Sequence, residues 1–295
     1  MTSKIKKTVV GLVALLLTMS VPLRAFSHSD SKDNDDTIVL SKDNLITLST
    51  EIDGESTAQV LSTAKELDNA LSKKEGLFSK KKHLRLFLNS PGGSIQSGLE
   101  MIEGLQGLGR PIDTVSLFSA SMAFQLIENL GERLVLKNGV LMSHHAKGEV
   151  EGEFGGSIKS QMENRMQLWI DRVRELDEQT VKRTNGKQTY ESYTKEYDHE
   201  CWLSGTKAVE QGYADRIVKV KCDQSLSGVS THTTEFMGLA IQYDLDNCPI
   251  NTTPMNVRIS QSTQQSALTP ALEEEVKNKF KERFLNKQKQ VVTTY

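Results

Sequence analysis

Leu84-Arg85-Leu86-Phe87-Leu88-Asn89-Ser90-Pro91-Gly92-Gly93 is the stretch that decides how this chain is organised. An apolar strand runs straight into a turn-forming cluster, and a helical pattern begins at Ile95. A turn that ends in two glycines can bring bare backbone N–H groups into a cleft, because no Cβ blocks the approach. N–H groups placed that way can hold a developing oxyanion. Downstream, Ser119-Ala120-Ser121-Met122-Ala123 opens another apolar helix, and Leu141-Met142-Ser143-His144-His145 ends a strand. A nucleophile candidate, a base candidate and an oxyanion loop thus fall in one region, which points to acyl-transfer chemistry.

Working outward, the pattern alternates strands and helices. Thr37–Leu40 and Leu45–Leu48 read as strands. Ser56 to Leu71 reads as a helix, with Val60, Leu61, Ala64, Leu67 and Leu71 on one face. The lysines between residues 73 and 82 read as a solvated loop. Helix Ile95–Leu108, strand Ile112–Phe118 and a helix from Ser121 to near Gly131 follow. Arg133–Leu136 and Val140–His144 read as two strands around an Asn138-Gly139 turn. The Gly- and Glu-rich residues 146–156 read as an exposed loop. Ile158 to Arg183 is a long helix with apolar positions at Met162, Met166, Trp169, Val173 and Leu176, a stripe suited to core packing or to a second copy and not to a cofactor. A helix over Ser204–Gln211 and a strand over Ala214–Val220 close the unit. Repeated strand–helix units imply an α/β fold with a largely parallel sheet. The core domain is expected over residues 37–221. A C-terminal extension follows over 222–295, Ser/Thr-rich with mixed strand signals and ending in a charged helix from Ala271 to Lys289.

The 295 residues suffice for one good core plus extensions. A formal charge of −2 carries no nucleic-acid footprint. Lys4, Lys6 and Lys7 precede an apolar run from Val9 to Leu17, and Ala25 and Ser27 supply small residues for cleavage. This is the layout of a signal peptide over residues 1–27. The apolar run is short for a membrane span. Residues 28–36 are polar and acidic, as in a disordered linker. Cleavage leaves 32 basic and 38 acidic side chains, a formal charge of −6. Export to the periplasm or medium places Cys201, Cys222 and Cys248 in an oxidising compartment, where one disulfide and one leftover thiol are expected. All three pairings stay open. None of these cysteines has metal-ligand spacing, and the reading calls for no metal and no cofactor.

The order of five motifs resembles the proteolytic subunit of Clp protease and its superfamily, which includes signal peptide peptidase and the crotonases. The motifs are Asn89-Ser90-Pro91-Gly92-Gly93-Ser94, Ala120-Ser121-Met122, Leu141-Met142-Ser143-His144, Trp202-Leu203-Ser204, and Ala208-Val209-Glu210-Gln211-Gly212-Tyr213-Ala214-Asp215. The resemblance covers roughly residues 40–221 and implies the Clp/crotonase fold of repeated ββα units, with a C-terminal extension added. Residue by residue, it implies Ser121 as nucleophile, His144 as general base, and the Gly93 and Met122 amides as the oxyanion hole. Aligning Trp202-Leu203-Ser204 with the family's Phe-Leu-Ser puts Glu200 where an Asp is usual, and Asp198 lies two residues earlier. The chain also lacks a glycine between Met122 and Ala123. The family's handle region corresponds to the long helix over 158–183, which implies a homo-oligomer.

Each site residue also has a plainer role. Ser121 alone would be a helix N-cap, and Ser119 a turn residue. His144 alone would be a hydrogen-bonded strand-end histidine. His145 points to the opposite face, and Val140 and Met142 share the face of His144. Glu200 and Asp198 alone would be solvated loop charges, and Gly93 a turn glycine. Taken together, the residues predict an exported serine peptidase with a Ser121–His144–acid triad, acting on peptides or unfolded proteins. No ATP-driven unfoldase is expected as partner, because ATP is not expected outside the cytoplasm. The competing expectation is a non-catalytic assembly or binding module of the same fold.

Overall fold

The computed structural model describes residues 36–76, 79–146, 157–196, 198, 200–260 and 269–293. The expected signal peptide, the linker over 28–35 and residues 147–156 of the expected loop lie outside the described residues. Two short strands, β1 (Thr37–Leu40) and β2 (Leu45–Leu48), form opposite edges of one sheet. Helix α1 (Gly54–Lys74) starts from a capping box in which the Asp53 carboxylate accepts from Ser56 N and the Ser56 hydroxyl accepts from Asp53 N. Then come β3 (Leu84–Ser90), α2 (Ile95–Gly107), β4 (Ile112–Ala120), α3 (Met122–Asn129) and β5 (Arg133–Ser143). The long helix α4 (Ile158–Arg183), the short α5 (Tyr190–Glu196), β6 (Cys201–Ser204), α6 (Gly205–Gln211) and β7 (Arg216–Cys222) complete the unit.

The sheet order is β1-β7-β5-β4-β3-β2, with every pair in that path parallel. β6 joins antiparallel to the last four residues of β5. Leu86, Leu88 and Leu141 pack with Met101, Phe124 and Leu126 from α2 and α3 in the main core. The alternate residues Phe87, Val115, Leu134 and Val218 form a second buried cluster, as a period of two requires. A sheet buried on both faces explains why the strands read as continuous apolar runs. The α/β class and the largely parallel sheet thus follow the sequence reading.

Two local readings are corrected, and a third is narrowed. The expected two strands around Asn138-Gly139 are one strand, because both halves pair parallel with β4. The pairing steps from Ser116↔Val135 to Phe118↔Val140, so the residues around Asn138 are a bulge and not a turn. Gly139 belongs there because a Cβ would meet Leu136 O and Ser116 O at 2.9 Å. Ser119 is a fully buried strand residue bonded to the Ser116 hydroxyl at 2.7 Å, not a turn. On α4 the apolar stripe enters the chain's own core only near the C-terminus, at Leu176. Met162 and Met166 are exposed.

The extension forms an antiparallel sheet of β8 (Val229–Phe236), β9 (Leu239–Asp246) and β10 (Met255–Ser260), with helix α7 (Pro270–Thr293) beside it. Phe236, Ile241 and Val257 bury against Val276 and Phe280 in a core of their own. A Cys222–Cys248 disulfide ties the end of β7 to the segment after β9, and Cys201 remains a free thiol.

A buried ionic cluster locks the far end of α3. The Arg133 guanidinium, 2% exposed, donates to Asp215 Oδ1 at 2.6 Å, Glu128 Oε2 at 2.7 Å, Gly212 O at 2.8 Å and Arg183 O at 3.0 Å. Burial pushes the Glu128 carboxyl up to about 7, against the pull of Arg133. In the unfolded chain a Glu titrates near ~4.3. Between those values the folded state holds a proton that the unfolded state has released. The stability Glu128 contributes is therefore full below the unfolded value and is lost as pH rises through about 7. Urea midpoints at about pH 5 and about pH 8 should show wild type losing more stability than Glu128→Gln over that interval. Parallel pH dependence of the two proteins would overturn this account.

Candidate active site

The site is built at the carboxyl ends of adjacent strands. β4 ends at Ala120, which pairs with Met142 of β5. Ser143 of β5 pairs with Cys201 of β6. One residue beyond these pairs stand Ser121, His144 and Glu200. Three of the expected site residues therefore leave neighbouring strands at one level. Met142 and Trp202, each two residues from His144 and Glu200, pack together with Phe118 and Ala120. His144 Nδ1 is withdrawn from solvent.

Ser121 occupies the junction between β4 and α3 at φ 54°, ψ −122°. A non-glycine residue rarely adopts this region, and it costs about 1–3 kcal/mol. Ser121 N donates to Met142 O at 2.9 Å, which holds the turn against β5. Ser121 O accepts from Phe124 N and Gln125 N, which starts the helix. The side chain does not follow the capping role: no cap hydrogen bond runs from its hydroxyl to α3. By contrast, Ser94 caps α2 through Ser97 N and Ser204 caps α6 through Lys207 N. The Ser121 hydroxyl is thus not spent on its own helix.

The Gly92-Gly93 turn lies directly against this junction. A Cβ on Gly92 would sit 2.5 Å from Ala120 O, 2.8 Å from Met122 N and 2.8 Å from Ser121 Cβ. A Cβ on Gly93 would meet Ile52 O at 2.3 Å. Both residues also need positive φ, 92° and 146°. Ile52 N donates to Gly92 O and Ser94 N donates to Ile52 O, a bridge that does not use Gly93 N. The Ser90 hydroxyl accepts from Gly92 N and donates to Thr50 O. Met122 N is in the first turn of α3, where an N–H has no acceptor within its own helix. Gly93 N and Met122 N are therefore among the main-chain donors at this junction whose bonding needs the described backbone leaves open.

The two acid candidates part company. Asp198 Oδ1 lies 2.7 Å from His145 Nε2, and both side chains are more than half exposed. Glu200 Oε2 accepts from the Trp202 indole N–H at 3.1 Å. Glu200 itself has φ 71°, a left-handed residue just ahead of β6. Sequence reasoning missed the indole contact, because Glu200 stands ahead of β6 at positive φ, where strand alternation does not apply. It also missed the other side of β5, where the buried Ser143 hydroxyl lies 3.0 Å from the Tyr193 hydroxyl. Burial, with Glu196 nearby, pushes the Cys201 thiol up to about 11, so this cysteine is not poised as a nucleophile.

The strain at residue 121 is testable without any substrate. Ser121→Ala keeps the positive φ, whereas Ser121→Gly relieves it. Ser121→Gly should be more stable than Ser121→Ala by about 1 kcal/mol in urea unfolding, after the glycine's entropic cost. Equal midpoints would show that the junction is not strained.

In a comparison with known protein families, the family model described as Clp protease matches residues 28–221. The matched segment ends just before Cys222, so the three-stranded sheet and α7 lie beyond it.

Proposed function

The chain belongs to the Clp protease family, and from that premise we propose an exported, ATP-independent serine peptidase that cleaves peptides and loosely folded proteins. Family membership makes it a peptidase, of the serine type in general, and its mixed α/β architecture with a mostly parallel sheet is consistent with the family's fold. Clp proteases in general form oligomers and act on peptide or protein substrates. The observation that carries the finer reading is the Ser121 junction, a strained serine whose hydroxyl is not used as a cap.

In this reading Ser121 Oγ attacks the scissile carbonyl carbon while His144 Nε2 takes its proton. Glu200 holds the imidazole tautomer and stabilises the imidazolium. Asp198 is the lesser candidate, since its carboxylate is on His145. The Gly93 and Met122 amides receive the oxyanion, and losing one such donor costs about 3 kcal/mol. The tetrahedral intermediate collapses as His144 protonates the leaving amine. Water, deprotonated by His144, then releases the acyl group from Ser121.

The Cys222–Cys248 disulfide supports an oxidising compartment, in line with the signal-peptide reading of residues 1–27. In such a compartment no ATP-driven unfoldase feeds the enzyme, so substrates are short or already unfolded. The exposed Ile158, Met162, Met166 and Leu168 of α4 suit burial against a second copy of the chain.

A fluorophosphonate probe should label the protein lacking residues 1–27 at Ser121, as read by peptide mass spectrometry, and unstructured casein should be cleaved. Ser121→Ala should abolish labelling and lower cleavage by about a thousandfold or more. A wild type that neither labels nor cleaves, or a Ser121→Ala variant equal to wild type, would sink the peptidase reading.

A further inference from the structure

We propose that Trp202 is a positioning residue for the triad: its indole N–H fixes the Glu200 carboxylate so that the other oxygen can accept from the His144 imidazole. This rests on the serine-peptidase reading and adds to it a residue that touches neither substrate nor reacting atoms.

The observation is the hydrogen bond from Trp202 Nε1 to Glu200 Oε2 at 3.1 Å. A glutamate has one more rotatable bond than an aspartate, and a free carboxylate at its end samples many orientations. An acid that must hold one imidazole tautomer needs that freedom removed. Glu200 also stands at φ 71°, off the strand geometry that would otherwise aim its side chain. The indole supplies the missing constraint from a position that is itself fixed. Trp202 pairs with Met142 across β5 and β6, its ring lies 6.4 Å from that of Phe118, and it packs on the buried Phe118, Ala120 and Met142 cluster. An indole N–H is a donor only, so it cannot compete for the imidazole proton. With Oε2 on the indole, Oε1 is the oxygen left to turn to the buried His144 Nδ1 in the working enzyme. Trp202 and Glu200 thus act as one unit, a rigid aromatic anchor and a flexible acid.

Trp202→Phe is the discriminating variant, because it keeps a ring against Phe118 and removes only the donor. Peptide hydrolysis should show kcat down about tenfold with KM changed less than about twofold, since a bond to a charged acceptor is lost and no substrate contact is. Glu200→Gln should slow the enzyme further. Adding Trp202→Phe to Glu200→Gln should then cost nothing more, because the indole acts only through the carboxylate. A merely structural role would cost the same in both backgrounds. A second readout needs no activity. The chain has two tryptophans, and the Nε1–H resonance of Trp202, but not that of Trp169, should shift on Glu200→Gln. An unimpaired Trp202→Phe in a labelling-competent protein, additive losses in the double variant, or an unmoved indole resonance overturns the inference alone. A wild type that does not label at Ser121 overturns the peptidase reading and this inference together.

Discussion

Ser121 N donates to Met142 O across the boundary of β4 and β5, and this bond holds an L-residue at φ 54° as the chain turns from strand into helix. A turn that tight leaves little room around it. Only a glycine can pass where Gly92 passes, because Ala120 O and Met122 N lie within van der Waals range of any added carbon. Gly92 in turn bonds Ile52 N, and Ile52 immediately precedes the Asp53 cap of α1. The start of α1, the glycine turn and the start of α3 are thus set by one another through backbone, with no long side chain involved. Backbone contacts of this kind are stiff, and a site that holds an oxyanion depends on donors that need no reorganisation.

The strain at that junction is sustained from the other end of α3. An eight-residue helix is too short to persist alone. Phe124, Leu126 and Ile127 are at most 1% exposed and hold its length in the core. Glu128, in its last turn, lies on Arg133, which also bonds the carbonyls of Arg183 and Gly212 and the carboxylate of Asp215. Arg183 reaches back to the Leu130 and Gly131 carbonyls after α3. The ends of α3, α4 and α6 and the starts of β5 and β7 meet at one guanidinium. Burial raises the Asp215 carboxyl, but the Arg133 hydrogen bonds and the Arg133 and Arg183 charges together hold it below its ordinary value, whereas burial prevails at the more deeply buried Glu128. Burial rather than pairing decides which of the two acids can take up a proton.

Much of this was legible in the chain itself, and what was not has a common cause. The strand ending in Asn89-Ser90-Pro91-Gly92-Gly93 could be read because glycine and proline act locally. The α4 boundaries could be read because Asn185-Gly186 stops a helix without help from tertiary contacts; Asn185 and Gly186 both have positive φ. Asn138-Gly139 misled for the same reason. The local signal is a turn, but pairing of both flanks with β4 outweighs it and turns it into a bulge. The short β6 gave no periodic signal in four residues; it exists because the far half of β5 offers a free edge. At the site, the places of Ser121 just ahead of α3 and of Gly93 in a glycine turn were readable from composition and order. The partners of the acids were not, because the division of Asp198 to His145 and Glu200 to Trp202 depends on where three chain segments meet.

The serine caps weigh between a catalyst and a passive member of the fold. Asp53, Ser94 and Ser204 each close a helix N-terminus with a side-chain bond, worth about 1 kcal/mol apiece. Ser121 occupies the same position on α3 and makes no such bond, and it adds backbone strain of about 1–3 kcal/mol. Ser157 at the start of α4 makes no cap bond either, so it is the positive φ, and not the missing cap alone, that sets Ser121 apart. A scaffold that only binds would gain stability by relaxing the junction to an ordinary extended cap, with no loss at a surface elsewhere. A serine nucleophile, by contrast, would need its hydroxyl free, and relaxing the junction would cost it that role. Stability forgone at this one residue therefore favours chemistry over scaffolding.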